Sequence, residues 1–352
     1  MKKIFLVVLT IVLCIMNCSP VFADEEEEQH SYGYRELPQE EPYDYIPLRP
    51  QRNYGTLPSS YSSVDEGYLP AVRNQNPYGT CWAHAAMASS EAYGIKNGYE
   101  SASQMNLSEL QLAYYTYHNA NDPLGLMDGD SISCTAQDGY LECGGNTEFA
   151  VKTLAKGIGY VDEETVPYSQ ASKYVPMTDA DAVKRAIMEY GALDISYYES
   201  STYYNSATYA YYNDVNSGQT NHAVTCVGWD DSFSRTNFKE GRQPSTDGAW
   251  LIRNSWGSFS RNNGYFWISY EDVSLNEKAT AYEIVSAVEN ENIYQYDGGL
   301  MDAYYTYTGS VTTANVYTTA RSEQLKDDGF FSRSENYSYS ISVYAGISED
   351  QP

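Results

Sequence analysis

The spacing of apolar residues changes once along the chain, from a helical period in the first half to a strand period in the second. Cys81, Ala85, Ala88 and Ala92 share one face of a predicted helix that ends at Asn97-Gly98. Further helices are predicted from 107, over 146–155 and over 179–189, and strands over 192–198, 222–229, 249–253 and 264–269. Helices that precede strands in this way predict an α+β fold with two packed lobes.

The first 23 residues have the pattern of a secretory signal peptide. Lys2 and Lys3 precede an apolar run over 4–16, and Val21-Phe22-Ala23 offers a small-residue cleavage site. The run is too short to span a membrane, and no similar run follows. A lipoprotein signal at Cys18 is the less favoured alternative. We therefore expect a secreted, extracellular or cell-surface protein that does not span the membrane.

The charge balance restricts the partners. The chain has 352 residues, with 21 Lys and Arg against 47 Asp and Glu, a formal net charge of −26. Such an acidic chain does not suit nucleic acid or anionic membrane surfaces, which attract basic residues. Residues 24–45 hold nine acidic residues, and prolines follow, so we interpret 24–56 as a solvated leader or short pro-segment outside the core. A plain acidic tail that aids solubility is the alternative.

Two tyrosine-rich stretches follow different patterns. Residues 197–212 include seven tyrosines, which we expect in an exposed loop or strand pair, with a carbohydrate- or peptide-facing surface as the less favoured alternative. Residues 286–352 alternate Tyr and Thr with other residues in short runs such as 338–344, and are predicted to begin an all-β module that is incomplete here.

Cys81 is the first candidate for chemistry. A thiol attacks as the thiolate, and both a helix N-terminus and a neighbouring imidazolium lower its pKa. Gly79 makes a turn and Cys81 opens the predicted helix. His222 opens an apolar strand, which gives a base a rigid support.

Three further residues complete the candidate site. The amide oxygen of Asn254 can orient the imidazole of His222 without adding charge. Gln75 precedes Cys81 by six residues, so its side-chain NH₂ can join the Cys81 backbone N–H in stabilising an oxyanion. Trp256 would cover the His–Asn contact and keep water away from it.

These motifs resemble the papain family of cysteine peptidases. The resemblance covers about 57–285 and implies a papain-like fold with a helical lobe and a β-barrel-like lobe. It implies that Cys81 is the nucleophile, His222 the acid–base, Asn254 the orienting residue and Gln75 the oxyanion donor. The segments that carry the resemblance are Val72-Arg73-Asn74-Gln75, Cys81-Trp82-Ala83, Leu107-Ser108-Glu109, Gly144-Gly145, Pro167-Tyr168, Asn221-His222-Ala223-Val224, Asn254-Ser255-Trp256-Gly257 and Gly264-Tyr265.

The resemblance also implies the substrate contacts. Gly145 corresponds to the glycine whose backbone pairs with the substrate on its non-primed side, and Gly144, Trp256 and Asn221 are the other candidate substrate-binding residues. A protein or peptide substrate is expected, without metal or cofactor.

The cysteines depart from the family pattern. The family's usual disulfide near the nucleophile should be absent, because Tyr78 and Glu142 stand at its two positions. Cys143 either pairs with Cys134 or remains a free thiol, and Cys226 is expected to be buried and unpaired.

The order of the modules resembles bacterial surface-layer-processing cysteine peptidases that carry a lectin-like domain after the peptidase. This predicts a secreted endopeptidase that processes cell-surface proteins, with cell-wall glycan or surface-layer protein as further partners. The alternative is a wall- or glycan-binding surface protein in which the module over 286–352 has the main function.

Overall fold

The computed structural model describes residues 32–35, 54–118, 132, 134, 136, 139–154, 160–161, 167–215, 220–258, 261–286, 338 and 340–344. The predicted signal peptide, most of the leader and nearly all of the C-terminal module lie outside the described residues. The chain forms two compact units, 1–306 and 307–352. In the second unit the structure describes only residues 338 and 340–344, which form no regular secondary structure.

The described part of the first unit contains four regular helices and ten strands. The helices are α1 (Cys81–Lys96), α2 (Glu109–Tyr117), α3 (Thr147–Thr153) and α4 (Ala180–Tyr190), with short 3₁₀ turns at Tyr140–Glu142, Ser201–Tyr203 and Arg235–Asn237 and a helical turn at Arg261–Gly264. The strands are β1 (Ser60–Ser62), β2 (Tyr160–Val161), β3 (Pro167–Pro176), β4 (Leu193–Tyr197), β5 (Tyr204–Asn205), β6 (Ala210–Tyr211), β7 (His222–Asp230), β8 (Ala249–Arg253), β9 (Tyr265–Ser269) and β10 (Lys278–Ser286).

The strands form one mixed sheet in the order β2-β3-β10-β4-β7-β8-β9-β6-β5, and β1 pairs with β7. Neighbouring strands are antiparallel except β6 and β9. Four predicted strands correspond to β4, β7, β8 and β9, and the predicted helices correspond to α1–α4. The α+β prediction is therefore confirmed.

Helix α1 lies in the middle of the first unit and packs on β7, β10 and β4. It is buried on nearly all sides, which explains why small residues fill it. The hydroxyl of Ser89 donates to the Ala192 carbonyl oxygen at 2.8 Å, so the helix backbone lies close to the sheet. Cys81 opens α1, and the packing therefore fixes the position of its side chain.

Two cores lie on opposite faces of the central strands. Leu193 and Ile195 of β4 belong to a core that also contains residues of α4, β7 and β8. Cys81, Ala223 and Tyr282 belong to the other core, around α1, α2 and α3. Because side chains alternate along a strand, Asp194 and Ser196 are directed toward the α1 face.

The tyrosine-rich stretch is only partly what the sequence predicts. It includes the short β5–β6 pair, but Tyr197 and Tyr211 are fully buried and Tyr204 is nearly so. The Tyr197 hydroxyl donates to the Glu199 carboxylate, and the Tyr211 hydroxyl donates to the Tyr198 carbonyl oxygen. The expectation of exposure is therefore wrong for these rings, because the fold supplies partners for their hydroxyl groups.

The cysteines adopt one of the arrangements that the sequence left open. Cys134 and Cys143 form a disulfide with a Cα–Cα distance of 5.6 Å. Cys81 and Cys226 are free and buried among the described residues. The disulfide ends one residue before Gly144 and closes the loop that leads to the Gly144-Gly145 pair.

Candidate active site

Cys81 lies at the start of α1, as the sequence predicts, and is completely buried. Its Sγ accepts the backbone N–H of Ala223 at 3.4 Å, which places the thiol beside the first residues of β7. Burial raises the pKa of the Cys81 thiol to about 12, although the Ala223 N–H lowers it. Burial therefore favours the neutral thiol over the thiolate.

The His222 imidazole is held by an amide and an indole. Its Nε2 lies 2.8 Å from Asn254 Oδ1, and the Trp256 ring stacks on it with centroids 4.9 Å apart. Asn254 Oδ1 also accepts the backbone N–H of Ser255, which fixes the orientation of the amide. Since Oδ1 only accepts hydrogen bonds, Nε2 carries a proton, and the neutral ring has its lone pair on Nδ1.

The side chain of Gln75 has a fixed orientation in the loop before α1. Its Oε1 accepts the Ser255 hydroxyl at 2.6 Å, and its Nε2 donates to the Tyr78 carbonyl oxygen at 3.0 Å. The same Nε2 lies 3.5 Å from the carbonyl oxygen of Tyr32. The NH₂ group is therefore directed at a peptide carbonyl, as an oxyanion donor must be.

The backbone of Gly145 pairs with the leader. Its N–H donates to the Gly33 carbonyl oxygen and its carbonyl oxygen accepts the Arg35 N–H, both at 2.8 Å. These bonds form a parallel bridge centred on Tyr34. A Cβ on Gly145 would lie 2.3 Å from the Trp82 ring, so only glycine allows this approach.

Leader residues 32–35 thus cover the candidate site. The Tyr32 ring lies 5.6 Å from the His222 ring and 6.1 Å from the Trp256 ring, between centroids. Tyr34 packs against the helical core. The interpretation of the leader as a solvated segment outside the core is therefore wrong for Tyr32, Gly33 and Tyr34, which are partly buried, whereas Arg35 is exposed. Residues 32–35 lie against His222, Trp256, Gln75 and Gly145, beside the completely buried Cys81.

The remaining predicted residues have different positions. Trp256 covers the His222–Asn254 contact, as expected. Gly144 accepts the Tyr117 hydroxyl at its carbonyl oxygen. Asn221 holds the backbone of Glu199 from both sides, accepting its N–H at 2.6 Å and donating to its carbonyl oxygen at 3.0 Å. This contact supports the chain that follows β4.

Sequence reasoning did not find the roles of Ser255 and Tyr32. Ser255 connects Gln75 to the loop that carries Asn254. The sequence signal for Ser255 was its position between Asn254 and Trp256, two predicted site residues. Tyr32 stands in the motif Tyr32-Gly33-Tyr34, whose aromatic residues differ from the acidic residues around them.

Comparisons with known proteins agree with this geometry. Residues 57–288 match the model of the papain family of cysteine proteases, which is more than half of the chain. The chain belongs to this family. Residues 293–352 match the model of a lectin-like domain. The resemblance inferred from the motifs is thereby confirmed.

Curated relatives are similar to the family portion. The chain is 27% identical over 228 residues to fruit bromelain of Ananas comosus, covering 60% of this chain and 55% of bromelain. It is 26% identical over 220 residues to cathepsin S of Bos taurus, covering 59% of each.

Solved structures include both modules. The cysteine protease and lectin-like domains of Cwp84, a surface layer associated protein of Clostridium difficile, superpose with a TM-score of 0.60 at 26% identity, covering 76% of this chain and 59% of that chain. A variant of the clostridial cysteine protease Cwp84 after propeptide cleavage superposes with a TM-score of 0.56 at 27% identity. This match covers 68% of this chain and 61% of that chain. This papain-family chain therefore spans between 55 and 61% of the length of each of these chains.

Proposed function

We propose that this chain is a secreted cysteine endopeptidase, with Cys81 as nucleophile and His222 as acid–base. One arrangement carries the proposal: the Cys81 thiol at a helix N-terminus, beside the strand whose first residue is His222, itself held by Asn254. Membership in the papain family supports the same roles.

The reaction follows from the proton positions. His222 Nδ1 takes the Cys81 proton, and the thiolate attacks the carbonyl carbon of the substrate. The imidazolium then protonates the leaving amine as the C–N bond breaks, which leaves a thioester. His222 next deprotonates a water molecule, whose attack on the thioester releases the acid and returns the thiol.

Gln75 and Asn254 support these steps without exchanging protons. The Gln75 NH₂ and the Cys81 backbone N–H stabilise the oxyanion, a contribution of about 3 kcal/mol for one such donor. Asn254 keeps Nε2 protonated and leaves Nδ1 for the thiol. Trp256 limits access of water to that hydrogen bond.

The leader acts as an inhibitory pro-segment. In the family, the substrate residues on the acyl side pair with the glycine that corresponds to Gly145. Here the chain that pairs with Gly145 follows Tyr32, whose carbonyl oxygen lies 3.5 Å from Gln75 Nε2. The leader therefore runs in the direction opposite to a substrate, so it covers Cys81 without presenting a bond for attack.

Covalent labelling tests the catalytic assignment. The secreted chain, free of its leader, is treated with an epoxysuccinyl peptide at mildly acid pH and mapped. A single adduct on Cys81 that is lost in His222→Ala is expected. Equal labelling of Cys226 would reject the assignment, because a generally reactive thiol does not need His222.

The proposal also includes secretion of the chain and a cell-surface protein as its substrate. The signal-peptide pattern of the first 23 residues supports secretion. Among the described residues, no helix is both long and apolar enough to cross a membrane. The similarity to Cwp84, a surface layer associated protein, supports a cell-surface protein as substrate.

The match to a lectin-like domain supports glycan binding by residues 293–352. Retention of the secreted chain on purified cell-wall glycan, with and without residues 286–352, tests this role. Unchanged retention after the deletion would contradict it.

A further inference from the structure

Two buried oxygen atoms of β4 have no hydrogen-bond partner among the residues that the structure describes. Asp194 and Ser196 are both completely buried on β4. Among the described residues, neither Asp194 Oδ1 nor the Ser196 hydroxyl oxygen makes a hydrogen bond. Buried polar atoms are normally satisfied, so two such acceptors on one face of one strand suggest a missing donor.

The hydrogen bonds of Asp194 Oδ2 show where the Asp194 carboxylate lies in the fold. Asp194 Oδ2 accepts the Thr147 hydroxyl at 2.9 Å and the Tyr282 hydroxyl at 3.0 Å. Thr147 follows Gly145, which pairs with the leader, by only two residues. The carboxylate therefore lies on the side of the cleft where a peptide backbone is held.

Ser196 lies between the carboxylate and the thiol. It pairs across the sheet with Ala223, whose N–H reaches Cys81 Sγ. Directly opposed residues of antiparallel strands direct their side chains to the same face. The negative charge of Asp194 is also close enough to contribute to the raised pKa of Cys81. The two acceptors are thus connected to the thiol through Ala223 and to the chain after Gly145 through Thr147.

No cation balances Asp194 in the described part of the chain. Burial raises the pKa of its carboxyl to about 7, and only the Thr147 and Tyr282 hydroxyls lower it. By contrast, the buried Glu91 carboxylate of α1 is paired with Arg73. A buried carboxylate without a cation is a natural site for a positively charged ligand group.

We infer that Asp194 determines specificity, by selecting a lysine side chain in the substrate residue whose backbone pairs with Gly145. A lysine ammonium carries three donors, which suit Asp194 Oδ1 and the Ser196 hydroxyl together. The inference rests on the proposed endopeptidase function. The alternative is a purely structural role, in which Asp194 only accepts the hydrogen bonds from Thr147 and Tyr282 and does not contact the substrate.

Paired peptides test this selection. Fluorogenic peptides that differ only in lysine or norleucine are compared at each of the four positions before the cleaved bond, using the secreted chain in its mature form. We expect kcat/KM at one position to be at least tenfold higher for lysine. In Asp194→Asn this ratio should fall below threefold, because kcat/KM for the lysine peptide should fall relative to kcat/KM for the norleucine peptide.

Two further variants control for stability. Asp194→Asn itself keeps an acceptor for Thr147 and Tyr282. The first further variant, Ser196→Ala, removes the second acceptor and leaves the carboxylate intact. It should lower the ratio of kcat/KM for lysine to kcat/KM for norleucine about threefold. Asp272→Asn changes another buried carboxylate, which accepts the Asn213 N–H elsewhere in the sheet lobe, and should leave the ratio unchanged.

The outcomes distinguish failure of the lysine selection from failure of the proposed endopeptidase function. Active sites are counted with the epoxysuccinyl peptide. Normal labelling of Cys81 with no lysine preference, or with a preference that survives Asp194→Asn, would overturn this inference alone. Absence of labelling together with absence of hydrolysis of every peptide would reject the proposed function, and the inference with it.

Discussion

Gly33 lies against Gly79 so closely that a Cβ on Gly33 would be 2.1 Å from the Gly79 carbonyl oxygen. The φ angle of Gly33 is +114°, which L side chains rarely adopt. Gly33→Ala should therefore expel residues 32–35 from the cleft. We expect the full-length variant to react with an epoxysuccinyl peptide at Cys81 at least tenfold faster than the parent chain.

Gly55→Ala is the matched control for that experiment. Gly55 also belongs to the leader and has a φ of +64°, but a Cβ there would meet nothing within 4 Å. Its labelling rate should equal that of the parent chain. Equal rates for all three proteins would show that the leader does not limit access to Cys81.

The hydrogen bond from His222 Nε2 to Asn254 Oδ1 should stabilise the imidazolium. Asn254→Ala removes an acceptor from a charged donor, which corresponds to a roughly 10- to 100-fold decrease in kcat/KM. The alkaline limb of the pH profile should move to lower pH, because the imidazolium loses its proton more easily. Asn97→Ala, an exposed amide at the end of α1, is the control, and an unmoved alkaline limb in Asn254→Ala would contradict the orienting role.

Gln75→Ala should reduce kcat about 10²- to 10³-fold with little change in KM, because its NH₂ acts on the oxyanion. Ser255→Ala removes the hydroxyl that orients this amide but leaves the NH₂ in place. Its loss in kcat should be smaller. A larger loss in Ser255→Ala than in Gln75→Ala would indicate that the contact between the loops, rather than the donor, matters.

Asp194 should also make stability depend on pH. Burial raises its pKa to about 7, so the folded protein binds a proton that the unfolded chain releases near pH 4. This stabilisation is complete below pH 4 and is lost as the pH rises to 7, at up to about 1.4 kcal/mol per pH unit. Asp194→Asn should flatten the free energy of unfolding in urea over this interval. An identical pH dependence in both proteins would contradict the raised pKa.

Thiol counting distinguishes the cysteines. The mature chain, unfolded without reductant, should contain two free thiols, from Cys81 and Cys226, and the reduced chain four. Fewer than two would contradict the pairing. Loss of the Cys134–Cys143 bridge, which closes a loop of nine residues, should destabilise the protein by about 2–3 kcal/mol. We therefore expect a reductant to be needed for activity only to keep Cys81 reduced.

Local patterns were sufficient for much of the fold. Helix α1 and strands β7 and β8 follow from apolar spacing, and their order brings Cys81, His222 and Asn254 to one place. The spacing did not predict β3, which pairs with β10 about 110 residues away. Such pairing depends on the whole sheet, and no local signal specifies it.

The buried groups beside the cleft were also beyond sequence reasoning. In the sequence, Asp194 and Ser196 have the pattern of ordinary polar residues on the solvent face of an amphipathic strand. Nothing in the sequence shows that α1 covers this face of β4. Likewise, Tyr32 and Gly33 lie in an acidic stretch with few apolar residues. Their fit to the cleft depends on Gly79 and Gly145, which are distant in the sequence.

The Ser255–Gln75 hydrogen bond connects a loop of the sheet lobe to the loop before α1. A movement that separates these two loops would break this bond and release the orientation of the Gln75 amide. Widening the site at this point should therefore lower its reactivity. Slender, extended segments of a substrate should react fastest, and folded domains should be cut only in their exposed, flexible connections.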